Sequence, residues 1–357
     1  MNRDKYVGMD VDQATIVAHV TDGDGKFLME TFLKTKAEGI RQFLRSLEGR
    51  VHVAFEEGQQ ASWLYDIIRP LVTETIVCDA RRNKTIGSKG DRIDARKICQ
   101  WLRLGELRAV YHGQHGRELK ELVHCYSKLV GDTTRTMNRL KSLFRGQGIV
   151  CRGQGVYNWQ RQEEWKSLLK SEALRTRADL LYKQLEVLKA LREDAKKAML
   201  EEARRQTSNK LLLGVPGIGA VRAAMMMGIV GTPHRFRTKR QYWGYCGFGV
   251  VTHMSGEYEI KDGRRERRKK PLQTRGLNDN FNRRMKAVYK GAAVTAISAE
   301  PFKSYYQRMI DNKMRSEMAI LTVARKIAAI SLAIWKKGDT FQPGLVNQAQ
   351  SAGDEKG

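Results

Sequence analysis

The chain has 357 residues, with 65 Lys plus Arg against 39 Asp plus Glu, a formal charge of +26. That length supports two or three domains at about 150 residues each, and a hydrophobic content of 41% excludes a disordered chain. So large a basic excess, with a pI of about 10.0, makes a polyanion the expected partner, nucleic acid first. No run of about eighteen apolar residues occurs, so no membrane-spanning helix is expected. The opening MNRDKYVGMDVDQ has no apolar core of the kind a signal peptide needs. Cys78, Cys99, Cys125, Cys151 and Cys246 are odd in number and form no CxxC pair, which reads as reduced thiols of a cytoplasmic protein. No basic amphipathic helix with an aromatic face stands out, so no membrane partner is expected.

The first hundred residues read as α/β. Residues 6–10, 15–21 and 27–33 are short Val/Ile-rich or apolar runs, and Asp22-Gly23-Asp24-Gly25 between the second and third is a hairpin signal. Residues 36–47 have helical spacing, with Ile40, Phe43, Leu44 and Leu47 on one stripe. A strand at 51–55, a helix at 63–71 stopped near Pro70 and a strand at 75–78 follow, which gives a mixed sheet carrying helices. From about 118 to 206 the pattern is helical and charged. Ala178, Leu181, Leu185 and Leu188 keep three-four spacing, which predicts a long helical hairpin or coiled-coil arm whose apolar stripe joins subunits. From Lys210 the chain is dense in Gly, aromatic and basic residues. The segment 242–251 is expected to be core with strand character, helices are expected at 277–297 and 301–335, and the tail from Gly338 is expected to be loose. The resulting division is 1–111, 112–206, 207–337 and 338–357.

Four carboxylates stand out in the first section. Asp10 ends the first strand, Glu56 ends the strand at 51–55, and Asp91 and Asp94 lie three apart at a helix start, a spacing that puts both on one face. Acids at strand ends with a pair on a helix are oxygen donors suited to hard divalent cations, Mg²⁺ or Mn²⁺, and two such ions can clamp a phosphodiester. Each element also has a plainer reading. A strand-end Asp is often a turn residue, Asp91 can be an N-cap, and either Glu56 or its neighbour Glu57 can be the acid.

Two further segments carry chemistry. The run Gly214-Val215-Pro216-Gly217-Ile218-Gly219 precedes a helix-like stretch. It resembles a helix-hairpin-helix turn, whose amides accept a phosphate, with Gly217, Gly219 and Arg222 as the contacts. A plain turn between buried helices fits it about as well. After the aromatic and glycine segment comes His253-Met254-Ser255-Gly256, then KDGRRERRKK, seven basic residues in ten. Arg264, Arg265, Arg267, Arg268, Lys269 and Lys270 are candidate phosphate contacts beside Ser255, although a basic run is usually a solvated face. From spacing alone Ser255 is an ordinary loop serine. No Gly-x-Ser-x-Gly, kinase or Walker A motif occurs.

Taken with their order, GMDVDQ (8–13), FEEG (55–58), GDRIDARK (90–97), GVPGIG (214–219), YCGFGVVTHMSG (245–256), PFKSYYQRM and TVARKIA resemble the DEDD-type transposases of insertion-sequence family 110, the bridge-RNA-guided serine recombinases. The resemblance runs nearly end to end. It implies a RuvC-like, RNase H-type first domain with Asp10, Glu56, Asp91 and Asp94 as the acidic set. With the helical arm read above, it implies a mainly α C-terminal transposase domain with Ser255 as the nucleophile that joins DNA through a phosphoserine. It further implies donor and target DNA, a structured noncoding guide RNA, a homo-oligomer with acids and serine from different subunits, and a bacterial cytoplasmic location at the nucleoid. Two rivals remain on the residues alone: a water-using RuvC-like junction nuclease, which needs no serine, and a non-enzymatic nucleic-acid scaffold, which needs no acids.

Overall fold

The computed structural model describes residues 4–79, 90–110, 116–255, 258–261, 264–267 and 272–347. Of residues 91, 253–255, 258–261, 264, 265, 267 and 272–275 it describes the backbone alone. The chain divides into two compact units, Met1–His112 and Gly113–Gly357.

The first unit is a five-stranded sheet with helices on both faces. Its strands are β1 (Asp4–Val11), β2 (Thr15–Asp22), β3 (Phe27–Lys34), β4 (Arg50–Glu56) and β5 (Glu74–Cys78), in the spatial order β3-β2-β1-β4-β5. The β1–β2–β3 meander is antiparallel, and β4 and β5 add in parallel. The predicted hairpin is present: Asp22 Oδ1 accepts the amides of Asp24 and Lys26 at 3.0 and 2.8 Å, and Gly25 supplies a φ of +88°. Helices α1 (Ala37–Ser46) and α2 (Ala61–Ile68) cover one face, and α2 gives way to a 3-10 turn at Arg69–Leu71, which contains Pro70. Alternation assigns the faces. Val7, Met9, Val53 and Phe55 are fully buried against Ile40, Leu44, Leu64 and Ile68. The intervening residues Tyr6, Ala54 and Ile76 meet Ile98 and Leu102 of α3 (Asp91–Leu104) on the opposite face.

The second unit is largely helical. Helices α4 (Arg117–Arg145) and α6 (Glu172–Arg204) form an antiparallel hairpin, with α5 (Gln162–Ser167) in the connection. The hairpin has a core at each end. Leu140, Phe144, Val156 and Leu185 pack at the tip, where Tyr182 Oη donates to the Val156 carbonyl at 2.9 Å. Leu119, Val123, Met199 and Ala203 anchor the base. That base shares one core with α8 (Ala220–Val230), which follows the short α7 (Ser208–Leu213), and with α9 (Lys239–Tyr245) and the later helices. Gly228 lets α8 approach α4 closely, since a Cβ there would lie 2.7 Å from Val123 Cγ2.

Beyond α9 come β6 (Val250–Ser255), β7 (Tyr258–Lys261), β8 (Arg264–Arg267) and β9 (Leu272–Leu277) as two ribbons, β6 with β9 and β7 with β8. Then follow α10 (Arg283–Ala296), α11 (Phe302–Asp311), α12 (Ser316–Lys337) and α13 (Gly344–Asn347).

Several expectations shift. The aromatic segment 242–251 is half helix, because Thr238 caps α9 by accepting the Gln241 amide at 3.2 Å and strand structure begins only at Val250. Leu277 closes β9, and α10 starts later, where Asn282 accepts the Met285 amide at 3.1 Å. The single helix expected over 301–335 is two, α11 and α12, separated at residues 312–315, with Lys313 at a positive φ of 61°. The tail does not begin loose at Gly338: Phe341 packs on the core and Val346 is buried, while residues 348–357 lie outside the described residues. Helix α12 is long and apolar enough to cross a membrane, yet Val323, Ala324, Ile327 and Ala328 are fully buried in the unit's own core.

Candidate functional site

Two of the four candidate acids fall at one end of the first unit's sheet. The parallel ladder between β1 and β4 closes on Met9 opposite Phe55, so Asp10 and Glu56 are the next residues on neighbouring strands. Strand spacing sets such residues roughly 5 Å apart. Both are half-buried and share the face that bears α3. Glu57 lies beyond the strand end and is exposed, with its amide bonded to the Cys78 carbonyl at 2.9 Å, so Glu56 is the better placed of the two.

Gly8 fixes how α3 crosses that face. A Cβ there would lie 2.2 Å from the Ala95 carbonyl oxygen and 2.3 Å from the Cys99 nitrogen, so only glycine admits the helix. Cys99 Sγ also donates to the Tyr6 carbonyl at 3.2 Å. Gly8 lies under the turn from Ala95 to Cys99, and Arg103, one turn further on, reaches Gly25 beside the Tyr6 end of the sheet, so α3 runs antiparallel to β1. Four helical residues rise about 6 Å and two strand residues about 6.6 Å. The first turn of α3, which begins at Asp91, therefore points toward the Asp10 end of β1. Asp91 is the first residue of α3, and Gly90 takes the N-cap position. The Asp91 side chain lies outside the described ones. Asp94 is half-buried, with Lys97 Nζ 3.9 Å from its carboxylate.

Among the described residues, no three His, Cys, Asp or Glu side chains form a group that could hold a metal ion. The described part of the set nevertheless has the right chemistry. Two half-buried carboxylates at adjacent strand ends, facing the first turn of a helix with another, are hard oxygen donors. Asp10, Glu56 and Asp94, with Asp91, are the residues that could hold Mg²⁺ or Mn²⁺.

In the second unit Ser255 is the last residue of β6, paired with Leu272 of β9. Its side chain is not among those described. The basic run forms β8 of the neighbouring ribbon, where the register pairs Arg267 with Tyr258, Arg265 with Ile260 and Arg264 with Lys261. Arg268, Lys269 and Lys270 lie outside the described residues. The glycine turn joins α7 to α8. Gly217 there has a φ of +84°, and a Cβ would lie 2.3 Å from the Ala292 carbonyl oxygen, so this glycine serves close packing on α10. Gly219 is the extended N-cap of α8, with open space around it. Arg222 Nη1 donates to the Gly217 carbonyl at 2.8 Å and to Thr295 Oγ1 at 3.2 Å, so the arginine braces its own turn. Behind this surface Tyr242 and Tyr289 share a 2.6 Å hydrogen bond, and burial pushes both phenols well above their usual pKa. Motif reading missed a recess between α3 and the β2–β3 ribbon: Arg92, Ile93 and Arg96 lie in GDRIDARK, but His19, Thr21, Phe27 and Glu30 carry no motif.

Comparison with known proteins places these features. A DEDD-type transposase family of the IS110 group matches residues 7–147, which include all four acids, and the Transposase IS116/IS110/IS902 family matches residues 209–307, which include the glycine turn, Ser255 and the basic ribbon. No curated relative matches the chain. Two models of one group, in the right order and over most of the sequence, identify the chain as a member of the IS110 family of transposases, proteins that act on DNA.

Proposed function

We propose that this transposase is an RNA-guided serine recombinase, in which Ser255 attacks DNA and Asp10, Glu56, Asp91 and Asp94 form a divalent-metal site. The observation that carries the reading is the convergence of Asp10 and Glu56 at adjacent strand ends, on the face crossed by the first turn of α3. The strand order β3-β2-β1-β4-β5, three antiparallel strands then two parallel ones, supports a RuvC-like classification of this unit. A divalent ion at the acids supplies Lewis-acid polarisation of a phosphodiester oxygen.

The serine step conserves bonds. Ser255 Oγ bonds to phosphorus, the bond from phosphorus to the departing sugar oxygen breaks, the serine proton is lost, and that oxygen takes up a proton. Attack on the phosphoserine by the hydroxyl end of another strand reverses the step and joins new partners. One ester is made for each one broken, so strand exchange needs no outside energy source. The arginines of β8, with Arg268, Lys269 and Lys270, neutralise backbone phosphate next to the serine. Gly219 and the start of α8 offer amides to a further phosphate, in the manner of a helix-hairpin-helix element.

Binding by backbone charge carries little sequence information. The charge of +26 therefore suits an enzyme whose target is selected by base pairing to a guide RNA. The arm joins subunits through a second apolar stripe on α6: Leu180, Val187 and Leu191 are 61%, 58% and 47% exposed.

The test is a covalent trap. Protein co-expressed with its flanking noncoding region is mixed with labelled element-junction DNA and Mg²⁺, denatured and resolved by mass. A protein–DNA adduct in wild type that disappears in Ser255→Ala is the expected result. Cleavage without an adduct, unchanged in Ser255→Ala, would establish the water-using nuclease instead.

A further inference from the structure

The recess beside α3 has a volume of about 380 Å³ and is lined by His19, Thr21, Phe27, Glu30, Arg92 and Arg96, among others. A β-bulge builds it. His19 pairs with Glu30 and Thr21 pairs with Phe27, although Glu30 and Phe27 are three residues apart and in a regular strand would face opposite ways. The register shift between Val20 and Thr21 turns Phe27 onto the α3 face, where its ring lies 5.2 Å from that of His19 and stays 56% exposed.

The polar groups of the recess are incompletely matched. His19 is 6% exposed, and its Nδ1 makes no hydrogen bond, with the Glu30 carboxylate 3.6 Å away. Arg92 Nε reaches Glu30 at 3.2 Å, and its guanidinium lies 4.9 Å from the centre of the Phe32 ring. Arg96 forms no ion pair among the described residues. The mouth thus carries two guanidinium groups against one carboxylate, beside an exposed aromatic ring and a buried, unmatched ring nitrogen.

We propose that this recess holds one unpaired nucleotide of a DNA or RNA strand. Phe27 stacks on the base, His19 and Glu30 meet its polar edge, and Arg92 and Arg96 take the adjoining phosphate. Each feature of the recess is then used. An apolar side chain would leave His19 Nδ1 unmatched, and a bare phosphate would leave Phe27 without a function. A base inside a duplex cannot enter without unstacking, so the recess selects single-stranded or extruded nucleotides. The inference rests on nucleic acid as the partner of this chain, and it adds a subsite on the other flank of the helix that carries Asp91 and Asp94.

Photocrosslinking of the full-length protein tests it. The probes are single-stranded oligonucleotides carrying one 5-iodouracil, as DNA in one arm and RNA in the other, with a duplex containing the same base as control. Trypsin releases residues 27–34 as one peptide for mass spectrometry. The expected adduct lies on Phe27, falls at least about tenfold in Phe27→Ala, is retained in Phe27→Tyr, and is weak with the duplex. Arg92→Gln and Arg96→Gln are expected to reduce it and to flatten its salt dependence. The arm that gives the adduct identifies the strand as DNA or RNA. Retention of the probes on the protein with no adduct in residues 27–34, or an undiminished adduct in Phe27→Ala, overturns the recess alone. Failure of the wild-type protein to retain any probe overturns the recess together with the nucleic-acid reading beneath it.

Discussion

The two faces of the first unit's sheet differ sharply in what they contain. On the side of α1 and α2, Val7, Met9, Val53 and Phe55 meet Ile40, Leu44, Leu64 and Ile68 in a dry core. On the side of α3 the corresponding positions are Gly8, Ala54, His19, Thr21, Asp10 and Glu56, and only Ala54, Ile98 and Leu102 form a buried apolar cluster. The first face supplies the burial that keeps the sheet folded. The second gives up apolar contact so that acids, a glycine crossing and an open recess fit there. Stability and chemistry are thus divided between opposite sides of the same strands, residue by alternate residue.

That division can be broken deliberately. Asp10→Asn is expected to lower DNA cleavage on the order of a thousandfold or more while leaving the melting temperature nearly unchanged, as read by a cleavage time course beside calorimetry. Near-normal cleavage by this variant would remove the α3 face from the chemistry. Leu64→Ala, on the dry face, should do the reverse: a loss of about 2–5 kcal/mol in denaturant unfolding, with cleavage per folded molecule retained. Gly8→Ala joins the two effects. Its Cβ would collide with the Ala95 carbonyl, so α3 must shift, costing about 1–3 kcal/mol and displacing Asp91 and Asp94 from Asp10. A variant that lost stability but cleaved normally would show that the helix need not sit so close. The smallest effect belongs to the arm. Leu180→Ser with Leu191→Ser should change stability by no more than about 0.5 kcal/mol per site yet weaken self-association in analytical sedimentation. An unchanged sedimentation profile would separate the arm from assembly.

Much of this frame was legible in the residues. Short Val/Ile-rich or apolar runs and the Asp22–Gly25 turn predict all five strands of the first unit within a few residues, because central strands covered on both faces are apolar along most of their length. The helical hairpin was legible at period 3.6, but its facing stripe was read only in part. Ala178 and Leu185 of the predicted stripe are buried and Leu181 and Leu188 only partly so, while Tyr182, Met199 and Ala203 are buried outside it, because the core is concentrated at the two ends of the hairpin. The strand-end positions of Asp10 and Glu56 and the helix start at Asp91 are legible in the sequence. The role of Gly8 is not, since a close approach between a strand and a helix distant in sequence leaves no local signal. Arg222 shows the same limit: it looked like a phosphate ligand, and its hydrogen bonds hold the glycine turn to α10. The recess is invisible in the sequence because a one-residue bulge, which has no local signature, decides where Phe27 points.

The most direct measurement is Mn²⁺ binding followed by electron paramagnetic resonance on the full-length protein, in wild type, Asp10→Asn and Ser255→Ala. Saturable binding in wild type and Ser255→Ala, and its loss in Asp10→Asn, is the expected result. Equal binding in all three would contradict a metal site at the strand ends and leave the α3 face without its central function.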